Sequence, residues 1–265
     1  AAAPSPLVIQ MAHLSKKRET LMRLHPAAAT SVLLSILLVG PNPASSQSSS
    51  QAERDVREAL RGERDLRGLD VTITGTEVTL SGELETFWSK SEAIRRALEV
   101  DGVETIVSEI VLPEPESDEE LAEEVTRAVQ RYAYYTIFDY LDGRIDAGNV
   151  TLMGRVTAER DKASEIFERV AKIRGIQDVQ NHIQTITPST TDARLRSSIA
   201  RRIFRTPSFE RFRTQPNPPF HIIVERSVVL LVGWVQGQIE YNEMERIVRQ
   251  TQGVLRVINQ LQTIS

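Results

Sequence analysis

The sequence predicts an α+β protein: three tandem α-β-β-α-β modules, each a small three-stranded sheet packed against two helices. Two observations predict it. First, one segment recurs: residues 71–82 read VTITGTEVTLSG, residues 144–154 RIDAGNVTLMG and residues 221–233 HIIVERSVVLLVG. Second, the glycines that close these segments, Gly82, Gly154 and Gly233, are each followed after 20 or 21 residues by another, Gly102, Gly175 and Gly253. The copies step by 72 and 79 residues, a spacing that marks an internal repeat of folded units.

Each element of the module can be justified from the pattern. In the first copy Val71, Ile73, Val78 and Leu80 alternate with Thr72, Thr74, Glu77 and Thr79, with Gly75-Thr76 between the runs. Strict alternation around a turn signal predicts a hairpin with one buried face. Ala93, Ile94, Ala97 and Leu98 then fall on one stripe of a 3.6-residue helix, as do Ile166, Phe167, Val170 and Ala171, and Tyr241, Met244, Ile247 and Val248. Gly102, Gly175 and Gly253 are expected to cap these helices in the left-handed conformation, before closing strands over 103–112, 176–186 and 254–264. Upstream of the hairpins, residues 53–60, 118–132 and 191–204 read as further helices. The modules are thus expected over 53–112, 117–187 and 190–265.

Residues 1–46 read differently. Met11 and Met22 both fit as initiators; Lys16, Lys17, Arg18 and Arg23 precede an apolar run over 27–39, and small residues follow it. That order is the one of a secretory signal. The run is too short to span ~30 Å of hydrocarbon comfortably, although a retained N-terminal anchor to the inner membrane is the alternative. Residues 47–52 are expected to be a disordered polar spacer. The chain has no cysteine, so lipid attachment to a thiol, disulfides and thiolate metal sites are excluded.

Charge separates the modules. Residues 52–112 carry eight basic and fourteen acidic side chains and residues 113–187 nine and fifteen; residues 188–265 carry eleven arginines, no lysine and six acids. A basic module behind two acidic ones points either to an anionic partner for the third or to head-to-tail contact between modules. Both linkers are short. Pro113 and Pro115 hold the first extended, and Ser117 or Asp118 is placed to cap the helix that follows.

The hairpin reading VTLxG, then a helix, then GVxxVxN, resembles the BON domain of bacterial envelope proteins, the family of the osmotically inducible periplasmic type. Residues 218–224 (PPFHIIV), 229–233 (VLLVG) and 253–259 (GVLRVIN) match it segment by segment, and 150–154 (VTLMG) with 175–181 (GIQDVQN) do so in the second module. The first module departs, with Ser108 where the others have asparagine. The resemblance covers the chain from about residue 53 onward. It implies binding to phospholipid or an envelope surface in the periplasm, without catalytic residues or cofactor to carry over.

The strongest candidate site is the insertion over 204–219. There Phe204, Phe209, Phe212 and Phe220 are interleaved with Arg201, Arg202, Arg205, Arg211 and Arg213. Guanidinium groups that pair with phosphate, beside rings that can enter a headgroup region, suit an anionic membrane surface. The plainer reading places the rings in the module's own core and the arginines in solvent. Nucleic acid fits less well, because export would separate the patch from it. Asp139, Asp142 and Asp146 lack the spacing of a calcium loop and read as turn acids. His182 and His221 lie on strands of different modules and do not read as a catalytic pair. The expectation is therefore a non-enzymatic envelope binding protein that meets anionic phospholipid through its third module. The alternative is a structural module that assembles with itself or with an envelope complex.

Overall fold

A computed structural model describes residues 43–115, 117–215 and 217–264. The basic residues and the apolar run read as an export signal lie outside the described residues. The order of elements is α1 (Pro43–Arg61), a 3-10 turn (Arg64–Leu66), β1 (Asp70–Thr74), β2 (Glu77–Glu83), α2 (Phe87–Leu98) and β3 (Thr105–Val111). The second module follows as α3 (Asp118–Gln130), β4 (Tyr140–Asp146), β5 (Asn149–Val156), α4 (Lys162–Ala171) and β6 (Asp178–Thr185). The third is α5 (Thr190–Phe204), a 3-10 turn (Glu210–Phe212), β7 (Phe220–Glu225), β8 (Val228–Gln236), α6 (Gly237–Arg249) and β9 (Arg256–Ile264). The three-module α+β architecture read from the repeat is the one observed.

Each sheet is three-stranded in sequence order, the hairpin pair antiparallel and the closing strand parallel to the second. A parallel neighbour cannot be reached by a tight turn, so a helix must cross over between the second and third strands. The alternation then decides which side that helix covers. Val71 pairs with Leu80 and Ile73 with Val78 on one face, and Val78 and Leu80 are fully buried. The other modules build their cores in the same way, around Leu141, Val150, Leu152 and Ile166, and around Ile222, Leu231 and Met244.

The described chain divides into two compact units, residues 43–83 with 92–111, and residues 84–91 with 112–264. The second and third modules therefore belong to one unit.

Several local expectations are corrected. Residues 47–52, read as a disordered spacer, lie within α1, because a helix anchored by buried Ala52, Val56 and Leu60 propagates through polar residues that do not oppose it. Leu98, assigned to the core stripe, is 47% exposed at the end of α2. The glycines at 102, 175 and 253 do have positive φ, of 89°, 88° and 97°. They are not the caps themselves: Lys172 and Gln250 end α4 and α6 with negative φ, and the glycines sit three residues beyond. Ser117 caps α3 by accepting from the Glu120 N–H, as Ser189 caps α5 by accepting from Asp192 N–H.

Asp118 is thereby released for another task. Its carboxylate accepts from the N–H groups of Ala147 and Gly148 at 2.8 and 2.9 Å, and Asp192 does the same for Arg226 and Ser227. Those pairs are hairpin turns whose residues both have positive φ, 48° and 76° in one and 51° and 62° in the other. Left-handed backbone costs roughly 1–2 kcal/mol for a residue with a side chain. Two charge-assisted hydrogen bonds from the helix start offset that strain and lock helix to hairpin.

Candidate functional site

The arginine-rich face is positioned by α5. Leu195, Ile199 and Ile203 turn one side of this helix into the core of the third module, and Arg196, also buried, donates to the Val224 carbonyl at 3.4 Å. Arg194, Arg201 and Arg205 are seven and four residues apart, so they form one stripe on the opposite, exposed side. Arg202 lies exposed on its flank and Arg213 follows the 3-10 turn. None of these five guanidinium groups has an acidic partner among the described residues. Other arginines are paired, Arg95 with Glu92 and Glu99, Arg155 with Glu225 and Arg249 with Glu245, but the α5 group is notable for lying on one face rather than for being unpaired. Arg201 and Arg202 in the last turn also complement the helix dipole, a structural role that leaves their outer donors free.

Phe209 and Phe212 do not join this surface, and Phe204, partly buried, packs against the core of the module. Phe209 is fully buried and Phe212 is 9% exposed; both pack edge-on against Phe220, with ring centres 5.9 and 5.4 Å away. The core reading of these rings is the one the structure supports. The module has few other large residues, so its own interior takes them. Arg211 is likewise engaged within the module, donating to Glu240 at 2.6 Å and to the Ser208 carbonyl at 2.7 Å, with its guanidinium 4.4 Å from the centre of the Phe212 ring. Of the residues singled out from sequence, Arg201, Arg202, Arg205 and Arg213 remain as available cations. Arg194 was missed because it lies outside the insertion; its helical phase with Arg201 was the signal.

A second cluster was not foreseen. Asp139, read as a turn acid, is fully buried just before β4. It accepts from the N–H and hydroxyl of Thr136 and of Thr157, and from Lys162 Nζ at 2.8 and 3.1 Å. Asp142 does behave as a local acid, accepting from the Gly143 N–H. Beside this pair lies His221, also fully buried, with ring centres of Tyr135 and Tyr140 at 5.5 and 6.0 Å. Neither imidazole nitrogen makes a well-formed hydrogen bond, although backbone groups of Thr136 and Asp139 lie near the ring. Burial pulls the His221 pKa down to about 4, although the Asp139 charge and nearby backbone of Thr136 and Asp139 favour the protonated ring. Burial likewise pushes the Tyr135 and Tyr140 phenols up. His182 is exposed on β6, in another module, and has no part in this cluster. Among the described residues no group of three or more His, Asp or Glu side chains could hold a metal ion.

The cluster marks where the second module meets the third. The segment between α3 and β4 lays Ile137 and Phe138 against the core of the third module. The Ile137 carbonyl accepts from the Ile222 N–H at 2.8 Å, and Asn217 donates to the Gln130 carbonyl at 3.0 Å. As a result β7 is buried on both faces: Phe220, Ile222 and Val224 inward, His221 and Ile223 outward. The unbroken apolar run Ile222-Ile223-Val224 was the sequence signal for this double burial.

The BON domain family matches the chain over residues 48–114, 117–187 and 191–265. No curated protein sequence matches it. Among solved structures, the C-terminal domain of CdsD, the structural protein of the Type III secretion system of Chlamydia trachomatis, is similar at 11% identity. That likeness covers 80% of this chain and 96% of the other, with a TM-score of 0.24. A second structure of CdsD covers 80% and 92% at the same identity, with a TM-score of 0.22. Those scores show too loose a likeness for either to bear on function.

Proposed function

This chain belongs to the BON domain family, and from that premise we propose that it is a non-enzymatic envelope binding protein whose third module meets anionic phospholipid. The observation that carries the reading is the stripe of Arg194, Arg201 and Arg205, with Arg202 beside it, on the exposed side of α5 and without acidic partners among the described residues. Guanidinium groups pair with phosphate through parallel hydrogen bonds. Each basic residue near an anionic leaflet contributes about 1 kcal/mol, so four together bind detectably where one does not.

Buried Phe209 and Phe212 shape the mechanism. With these two rings inside, attachment is chiefly electrostatic and superficial, and it reverses with salt as surface charges are screened. The setting we propose is the periplasm, with export through the N-terminal segment. Among the described residues no helix is long and apolar enough to cross a membrane.

The test is co-sedimentation of the protein with vesicles. Wild type is expected on anionic but not on neutral vesicles, and to be released by high salt. Arg194→Glu, Arg201→Glu and Arg205→Glu together should weaken anionic binding by at least about a hundredfold, with the fold unchanged by circular dichroism. Unchanged binding by the triple variant would remove the arginine face as the contact.

A further inference from the structure

The sheets differ on the side away from their helices. In the first module that side carries Asp70, Glu77, Glu83 and Glu109 with exposed Val107 and Val111, and no basic residue. The four carboxylates have no ion-pair partner among the described residues. Val107 and Val111 are 36% and 61% exposed, although both lie in a strand. The third module presents the opposite character. Where its outer face is open, a groove has an apolar floor of Val228, Leu230 and Ile258, and Arg226 and Arg256 on its rim. Arg155, also on the rim, is already neutralised by Glu225 at 2.5 Å. Arg226 and Arg256 are exposed and lack acidic partners among the described residues.

We propose that these two faces bind each other between copies of this chain: the acidic sheet face of the first module in one molecule docks on the arginine-rimmed groove of the third module in the next. Each face is exposed on its own unit, so neither is satisfied there. Both are pleated sheet surfaces, and sheets pack face to face at about 10 Å with their strands roughly aligned. Apolar side chains then meet at the centre, and carboxylates meet guanidinium groups at the rim, where opposite charges fix register and reject the like-charged pairing of two first modules. The contact is heterologous: each molecule offers one face of each kind, so assembly continues into a ring or an open filament. It uses Arg226 and Arg256, not the α5 stripe, and so does not depend on the lipid reading.

The test is sedimentation velocity of the full chain over a wide concentration range. Wild type should grow beyond a dimer at low salt and dissociate at high salt. Arg226→Glu with Arg256→Glu should weaken association at least about tenfold, as should Glu83→Arg with Glu109→Arg. The first double variant then has two acidic faces and the second a first-module face without net charge, whereas in a mixture the unaltered acidic face of the first meets the unaltered groove of the second, which should restore association. Wild type that stays monomeric throughout, double variants that assemble like wild type, or a mixture that does not recover would each overturn the proposal. So would loss of vesicle binding by Arg226→Glu with Arg256→Glu while self-association persists, which would give the groove to a lipid headgroup. Circular dichroism of each variant separates these results from unfolding.

Discussion

His221 buries a neutral imidazole between two tyrosine rings and beside Asp139, with neither nitrogen in a well-formed hydrogen bond. An unsatisfied buried polar group costs about 1–3 kcal/mol, so the fold tolerates this ring only while it stays uncharged. Its pKa of about 4 in the folded protein lies below the value of about 6.5 expected when unfolded. The unfolded chain therefore binds more protons between those values, and folding stability is lost as pH falls through that window. Above about 6.5 the full stability is present, and below about 4 no more is lost. The loss amounts to roughly 3 kcal/mol in total. Tyr135 and Tyr140, which face the ring, stay neutral throughout, and Asp139 attenuates the effect by favouring the protonated form. Urea denaturation across this range should show the slope, and His221→Phe should flatten it with little cost at neutral pH. A wild-type protein with no slope would contradict the burial of an uncharged ring.

At the scale of the element, the hairpins depend on Gly82, Gly154 and Gly233 near the ends of β2, β5 and β8, but not equally. A Cβ on Gly154 would stand 2.1 Å from the Tyr140 carbonyl oxygen, and one on Gly233 2.3 Å from that of Pro219. On Gly82 the nearest atoms would be a Leu69 methyl at 3.2 Å and the Gly68 carbonyl at 3.3 Å. Gly154→Ala and Gly233→Ala are therefore expected to cost more than about 3 kcal/mol, and Gly82→Ala about 1–2 kcal/mol. Chemical denaturation that ranked Gly82→Ala as the worst of the three would refute this ordering. These glycines were legible in the sequence because a repeat exposes any position that every copy needs. The hairpins and crossover helices were legible because period-2 and period-3.6 patterns follow from which side is buried. The Asp139–Lys162 pair was not: its partners are 23 residues apart and only tertiary structure brings them together. The fate of Phe209 and Phe212 was equally hidden, since the same aromatic spacing serves a membrane contact or a core. The α5 stripe was half legible, as its phase could be counted but the absence of acidic partners could not.

For the molecule as a whole, the second and third modules form one body, joined by the His221 pocket, the Ile222–Ile137 hydrogen bond and the Arg155–Glu225 bridge, with the Asp139–Lys162 pair bracing the second module beside that junction. Removing one partner of a buried ion pair strands the other charge and costs about 3–5 kcal/mol. Lys162→Met should therefore lower the melting of both modules together in a calorimetric scan. A third module that still melts at the wild-type temperature would show the two to be independent. The same embrace bears on ancestry. The triplication visible in the sequence suggests three interchangeable parts, yet the third has its interior completed by Ile137 and Phe138, which are encoded upstream of its own first helix. The piece of this gene that could be cut out and grafted elsewhere without leaving an open wound is thus the pair of modules beginning near residue 112, and recombination at the later linker would separate a core from part of its filling.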